Sequence, residues 1–201
     1  MTYELFIGLI TFAFVSSITP GPNNLMLMSS GATFGFKQTI PHVLGVGLGF
    51  TFMILLVGIG LVQIFDLYPI TYQILKVVSV VYLGYLAFKI ATSSRVESKT
   101  SSTAKPFSFI QAASFQWVNP KAWTMALTAI SVYSPNDQFD SIALVAIIFG
   151  LINLPCICCW TTLGQQLSKY LKNEKRLQIF NITMAALLIL SVLPVLVSFT
   201  E

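Results

Sequence analysis

Between Glu4 and Lys37 the chain reads LFIGLITFAFVSSITPGPNNLMLMSSGATFGF, 32 residues without a charge and with Pro20-Gly21-Pro22 near the middle. A membrane-crossing helix needs about 20 apolar residues, so this stretch is long enough to span a bilayer, and its prolines interrupt it at mid-depth. Comparable uncharged runs follow: 28 residues between Lys37 and Asp66, 28 between Asp140 and Lys169, and 24 between Arg176 and Glu201. None alternates with period two, so they read as helices and not as barrel strands.

The rest of the composition agrees. Of 201 residues, 55% are hydrophobic and 9% charged, where a soluble domain carries roughly 25% charged residues. Eleven basic and seven acidic side chains cannot cover a soluble domain of this size, and the hydrophobicity excludes a disordered chain. A net charge of +4 without a basic face argues against nucleic acid as a partner; the lipid bilayer is the partner implied.

The pattern predicts an all-α integral membrane protein with six spans, at 4–29, 40–64, 70–92, 107–133, 141–166 and 177–199. Lys76 and Lys89 fall near the ends of the third span, where lysines reach the headgroups. No basic residue precedes the first apolar run, so no signal peptide is read. Nine basic residues (Lys37, Lys89, Arg95, Lys99, Lys105, Lys169, Lys172, Lys175 and Arg176) fall at one side, and only Lys76 at the other. The bias predicts that both termini lie outside the cytoplasm.

The polar tract before Lys105 divides the chain into a three-span repeat over 1–92, a cytoplasmic linker over 93–106 and a second repeat over 107–201. Three crossings put the start of the second repeat on the opposite side from the first, so the repeats are inverted, an architecture common among transporters. Thr19-Pro20 precedes Asn119-Pro120 by one hundred residues, each pair near the middle of its span, which predicts that helices 1 and 4 are broken at matching places. Thr19 and Asn119 read as N-caps of the second half-helices, with proline at the first helical position. Such half-helix N-termini favour a negative group.

The residues at these breaks form the expected substrate site: Thr19, Pro20, Gly21, Pro22, Asn23 and Asn24 in the first half, and Gln116, Asn119, Pro120 and Lys121 in the second. Asn153 joins them from a third expected break, Asn153-Leu154-Pro155, in span 5. Lys121 has 15 uncharged residues on either side, and a lysine at the bilayer centre costs about 2.5–3.5 kcal/mol. No Asp or Glu lies inside any span, so the balancing anion is read as the carboxylate of a substrate; the alternative is that Lys121 snorkels or answers a backbone carbonyl.

Other features read as structural. Cys156, Cys158 and Cys159 pack as small apolar groups. His42 reads as interfacial, with a proton relay as the alternative. Gly45, Gly47, Gly49, Gly58 and Gly60 read as close helix packing.

Thr19-Pro20-Gly21-Pro22-Asn23-Asn24, then Gly31 and Gly35-Phe36-Lys37-Gln38, the run Gly45 to Phe50, and Lys105-Pro106-Phe107-Ser108-Phe109 leading to Gln116-Trp117-Val118-Asn119-Pro120-Lys121 together resemble the LysE/RhtB family of amino-acid exporters. The resemblance covers essentially the whole chain. Asn23-Asn24 and Lys89-Ile90-Ala91-Thr92-Ser93 look like the branch that exports cysteine and O-acetylserine. The resemblance implies efflux of a small amino acid through the bacterial inner membrane, driven by protons or by exchange, with no cofactor and no catalytic residue. Many members carry Asp where this chain has Asn23, so proton coupling through a carboxylate is not implied; proton coupling and a homo-oligomer stay open. The charge pattern itself, one cation, several amides and no anion, predicts a neutral zwitterion, with threonine, homoserine or leucine as the next choices. Two other functions compete. A thiol-disulfide electron carrier needs a cysteine in each of two facing helices, and a metal-ion exporter needs carboxylate, His or Cys ligands at depth; only the span-5 cysteines answer either need.

Overall fold

The computed structural model describes residues 1–61, 63, 67–68, 70–92, 105–134, 138–171 and 173–191. Most of the expected linker, 93–104, and the last part of the sixth span, beyond 191, lie outside the described residues. Among the described residues the secondary structure is helical: α1 (Tyr3–Ile18), α2 (Pro22–Phe34), α3 (Phe36–Leu56) with a π-turn at Val57–Leu61, α4 (Ile70–Ala91), α5 (Phe109–Phe115) with a 3₁₀ turn at Gln116–Val118, α6 (Pro120–Tyr133), α7 (Phe139–Leu167) and α8 (Glu174–Leu190).

The first break follows from two consecutive X–Pro steps. A residue before proline is pushed out of the helical region. Thr19 (φ −68°, ψ 147°) and Gly21 (φ −179°, ψ 176°) are both extended, so α1 ends and α2 restarts with Pro22 at its first position. The two helices bend by 52°. Here the expectation is corrected in detail: Thr19 closes α1 and is not the N-cap of α2, a place taken by Gly21. In the second half Asn119 (φ −95°, ψ 107°) precedes Pro120, and its side chain accepts from Lys121 N at 3.1 Å, as an N-cap should. The third expected break is absent. α7 runs unbroken through Asn153 and Pro155, because a lone proline costs one backbone hydrogen bond and the surrounding helix holds.

Among the described residues three helices are long and apolar enough to cross a membrane: Phe36–Leu61, Gln73–Ala91 and Phe139–Leu167. The bent α1–α2 pair qualifies as a fourth. The expected spans at 107–133 and 177–199 do not meet this measure among the described residues. Large apolar side chains face outward, including Leu48, Phe52, Val81, Phe88 and Leu151, as lipid contact requires.

α2 and α7 pack most closely. A Cβ on Gly31 would strike the Thr161 carbonyl, and one on Gly164 would strike the Met28 carbonyl, so only glycine permits this backbone approach. Gly45 and Gly49 bring α3 equally close to α5, against Phe109 O and Ala113 Cα. Gly35, at φ +79°, turns α2 into α3 in a single residue. α1 packs on α7 as α5 packs on α3, and α4 pairs with α8.

The connections sort to two ends. Phe34, His42, Lys89, Thr92 and Lys105 line one cavity, and Phe36 N donates to Gln165 Oε1 at 2.7 Å, so Lys37, Lys89, Lys105 and the close of α7 share one end. Gly8 of α1 lies against Tyr133 at the close of α6, and Gly60 shares a cavity with Ile130 and Phe139 at the other end. α1 therefore starts opposite the end at which α5 starts.

Candidate functional site

Where α1 stops, its last carbonyls have lost their helical donors and must find others. The accounting is complete. Thr19 N donates to Val15 O at 3.1 Å and the Thr19 hydroxyl to Ser16 O at 3.0 Å. Asn24 Nδ2 donates to both Ser17 O and Thr19 O at 2.8 Å, and Trp160 Nε1 to Ile18 O at 3.1 Å. Lys121, from the start of α6, closes the set. Its Nζ donates to Thr19 O and Thr19 Oγ1 at 2.9 Å and to Pro20 O at 3.2 Å. Three acceptors match the three N–H groups of an ammonium, at the end of α1 where the helix dipole is negative. The lysine thus answers backbone carbonyls, the alternative raised by the sequence. Gly21 makes room for it: a Cβ there would lie 2.6 Å from Lys121 Cδ.

The two breaks are also tied by a reciprocal amide pair. Asn23 Nδ2 donates to Gln116 Oε1 at 2.8 Å, and Gln116 Nε2 donates to Asn23 Oδ1 at 3.2 Å and to Ala112 O at 2.9 Å. Gln116 is fully buried and Asn119 is 1% exposed.

A cavity of about 20 Å³ lies between these segments, lined by Ser16, Ser17, Gly21, Asn23, Asn24, Asn119, Lys121 and Asn153 with Phe50, Ala122, Met125 and Ile157. That volume holds about one water, so an amino acid enters only if the segments separate. The first turns of α2 and α6 both contribute to its wall, which brings two helix N-termini to one polar space. Among the described residues no acidic one lines it.

Of the residues expected from the sequence, Gly21, Asn23, Asn24, Asn119, Lys121 and Asn153 line this cavity. Gln116 stands behind Asn23, Thr19 and Pro20 hold Lys121, and Pro22 and Pro120 start the two half-helices. Ser16, Ser17, Phe50, Ala122, Met125 and Ile157 line it in addition to the expected residues. Ser16 was within reach, since the hundred-residue offset that pairs Thr19 with Asn119 pairs it with Gln116. Ser17 Oγ is buried without a partner among the described residues.

Cys156 is buried, Cys158 half-buried and Cys159 exposed, all on α7. Cys158 and Cys159 line an outer hollow with Ile18 and Trp160, away from the central cavity. Among the described residues no three His, Cys, Asp or Glu side chains group as metal ligands. His42 lies at the basic end and is buried within the protein there: it is 1% exposed, with Phe107 packed 5.2 Å from its ring.

The family described as LysE type translocator matches residues 14–197. The chain is 32% identical over 193 residues to the cysteine/O-acetylserine efflux protein of Escherichia coli (strain K12), covering 94% of this chain and 96% of that protein. It is equally similar, over the same shares, to the proteins of that name in Salmonella typhi and Shigella sonnei (strain Ss046). No solved structure gives a significant match.

Proposed function

Because the chain belongs to the LysE type translocator family, we propose that it is a secondary transporter exporting small neutral amino acids, cysteine or O-acetylserine first, across the bacterial inner membrane. The observation that carries this reading is the meeting of the two helix breaks at one cavity whose wall offers an ammonium, amides and hydroxyls and, among the described residues, no carboxylate. The relatives' printed name supports the choice of substrate. A dibasic substrate would bring a second cation beside Lys121 with nothing to balance it.

The proposed site works by exchange of partners. The substrate's α-ammonium takes Thr19 O, Thr19 Oγ1 and Pro20 O, the oxygens that Lys121 Nζ holds in this structure. The released lysine then meets the substrate carboxylate, alongside the first turns of α2 and α6. Asn23, Asn24 and Asn153 supply the remaining polar wall. The architecture proposed with it is six spans in two inverted repeats. The opposite starts of α1 and α5 and the matched packing of α1 on α7 and α5 on α3 support it. The basic end is assigned to the cytoplasm on its lysine content.

The test is efflux of radiolabelled amino acids from proteoliposomes, screened over the common amino acids with and without a proton gradient. Neutral small amino acids leave fastest if the reading holds. Faster export of lysine or arginine than of every neutral amino acid overturns it.

A further inference from the structure

We propose that the basic end carries a second site, which binds a small amino acid by its carboxylate before it reaches the central cavity. The identity of the ligand rests on the export reading; the existence of the site does not.

A cavity of about 280 Å³ lies there, close to the lower limit of ordinary small-molecule sites and far larger than the central one. Three of its features call for a ligand. First, two of its lining residues carry buried polar atoms without partners among the described residues: both ring nitrogens of His42, a residue only 1% exposed, and Thr33 Oγ1. Each such atom costs about 1–3 kcal/mol if nothing meets it, and native structures leave few unmet without reason. Second, Lys89 and Lys105 line the same space, and among the described residues no acidic one does. Lys89 Nζ lies 5.0 Å from the centre of the Phe107 ring, a weak cation–π contact that an oxyanion would outbid. Third, α2 links the two cavities. Its first turn lines the central one, while Ser29, Ser30 and Thr33, further along, line this one. From Asn23 to Ser30 the helix rises about 10 Å.

The chemistry selects a zwitterion. The lysines take the carboxylate. A neutral imidazole offers one donor and one acceptor, and a threonine hydroxyl offers both, so His42 and Thr33 can receive an ammonium beside it. A lipid phosphate presents a similar oxyanion, and the test separates the two sources.

The probe is Thr92→Cys, at an exposed residue of the cavity wall, with Cys156, Cys158 and Cys159 changed to Ala and the full chain in phosphatidylcholine vesicles. N-ethylmaleimide labelling should be slowed by O-acetyl-L-serine and not by ethanolamine, which lacks the carboxylate. Adding Lys89→Gln or Lys105→Gln should raise the half-protecting concentration about tenfold, the loss of one charge-assisted hydrogen bond, with labelling of the free protein unchanged. Lys121→Met should leave protection intact. Protection that persists while Lys121→Met still exports normally would sink the central reading and keep this one. Absence of protection by O-acetyl-L-serine overturns the proposal, as does its loss in Lys121→Met. Slowing by phosphatidylglycerol with no effect of the amino acid assigns the cavity to lipid and also overturns it.

Discussion

Lys121→Met keeps the length of the side chain and removes its charge, and its consequences can be worked out from the bonds at the first break. Removing a lysine from the bilayer centre relieves about 2.5–3.5 kcal/mol of insertion cost. Against this stand the three hydrogen bonds of Nζ. Thr19 O keeps Asn24 Nδ2 at 2.8 Å, and the Thr19 hydroxyl keeps its own bond to Ser16 O at 3.0 Å. Among the described residues Pro20 O alone is left without a donor, a loss of about 1–3 kcal/mol. The two effects nearly cancel, so the variant should insert, fold and melt within about 2 kcal/mol of the parent. Efflux should nonetheless fall to background, because no cation remains to receive the carboxylate. Lys121→Arg should keep part of the activity, since a planar guanidinium is wider than the ammonium that fits over Gly21. The assay is efflux of labelled O-acetylserine from proteoliposomes at matched protein content, with thermal stability measured on the same preparations. Parental efflux by the Met variant refutes the reasoning; a destabilisation well beyond about 3 kcal/mol would show that the lysine is a structural strut.

Gly31→Ala and Gly164→Ala should each destabilise by about 1–3 kcal/mol, because the new methyl groups meet the Thr161 and Met28 carbonyls and α2 must draw away from α7; thermal unfolding in detergent measures this, and an unchanged melting temperature would contradict the packing. Asn23→Leu and Gln116→Leu should each cost about 1–3 kcal/mol by stranding the partner amide, and the double variant should cost less than their sum; strict additivity in the cycle would show that the amides do not depend on one another. Single cysteines placed at Thr100 and Lys172 should react with reagents from the cytoplasmic side, and labelling of either from outside whole cells would reverse the proposed orientation.

How much of this the sequence discloses depends on the range of each interaction. The break at Thr19–Pro22 is legible because its cause is local: two residues before prolines, both driven to extended backbone. Asn119 is legible as a cap for the same reason. Pro155 misleads, since whether one proline breaks a long helix is decided by the helices around it, here α2 lying against the turns that follow. Lys121 is visible as a charge needing a counterpart, but its counterpart is a set of backbone oxygens 101 and 102 residues away, and composition does not count carbonyls. His42, five residues after Lys37 at the start of an apolar run, is legible as lying near the basic end but not as buried. It is buried because Phe107, far along the chain, packs over it.

The contrast between α7 and the α1–α2 pair has a mechanical consequence. α7 is one continuous helix of 29 residues, about 44 Å long, against a hydrocarbon layer of about 30 Å. The α1–α2 pair is jointed, bent by 52° at the point where Lys121 is moored. When lipid tails shorten, a continuous helix can only lean, whereas a jointed pair can fold further, and α2 is held to α7 by the glycine contacts and must lean with it. The mismatch between the two is then taken up at the joint, so bilayer thickness pulls on the mooring of Lys121. Proteoliposomes made from lipids of graded chain length should therefore show efflux with an optimum thickness, the membrane acting as a spring on the site.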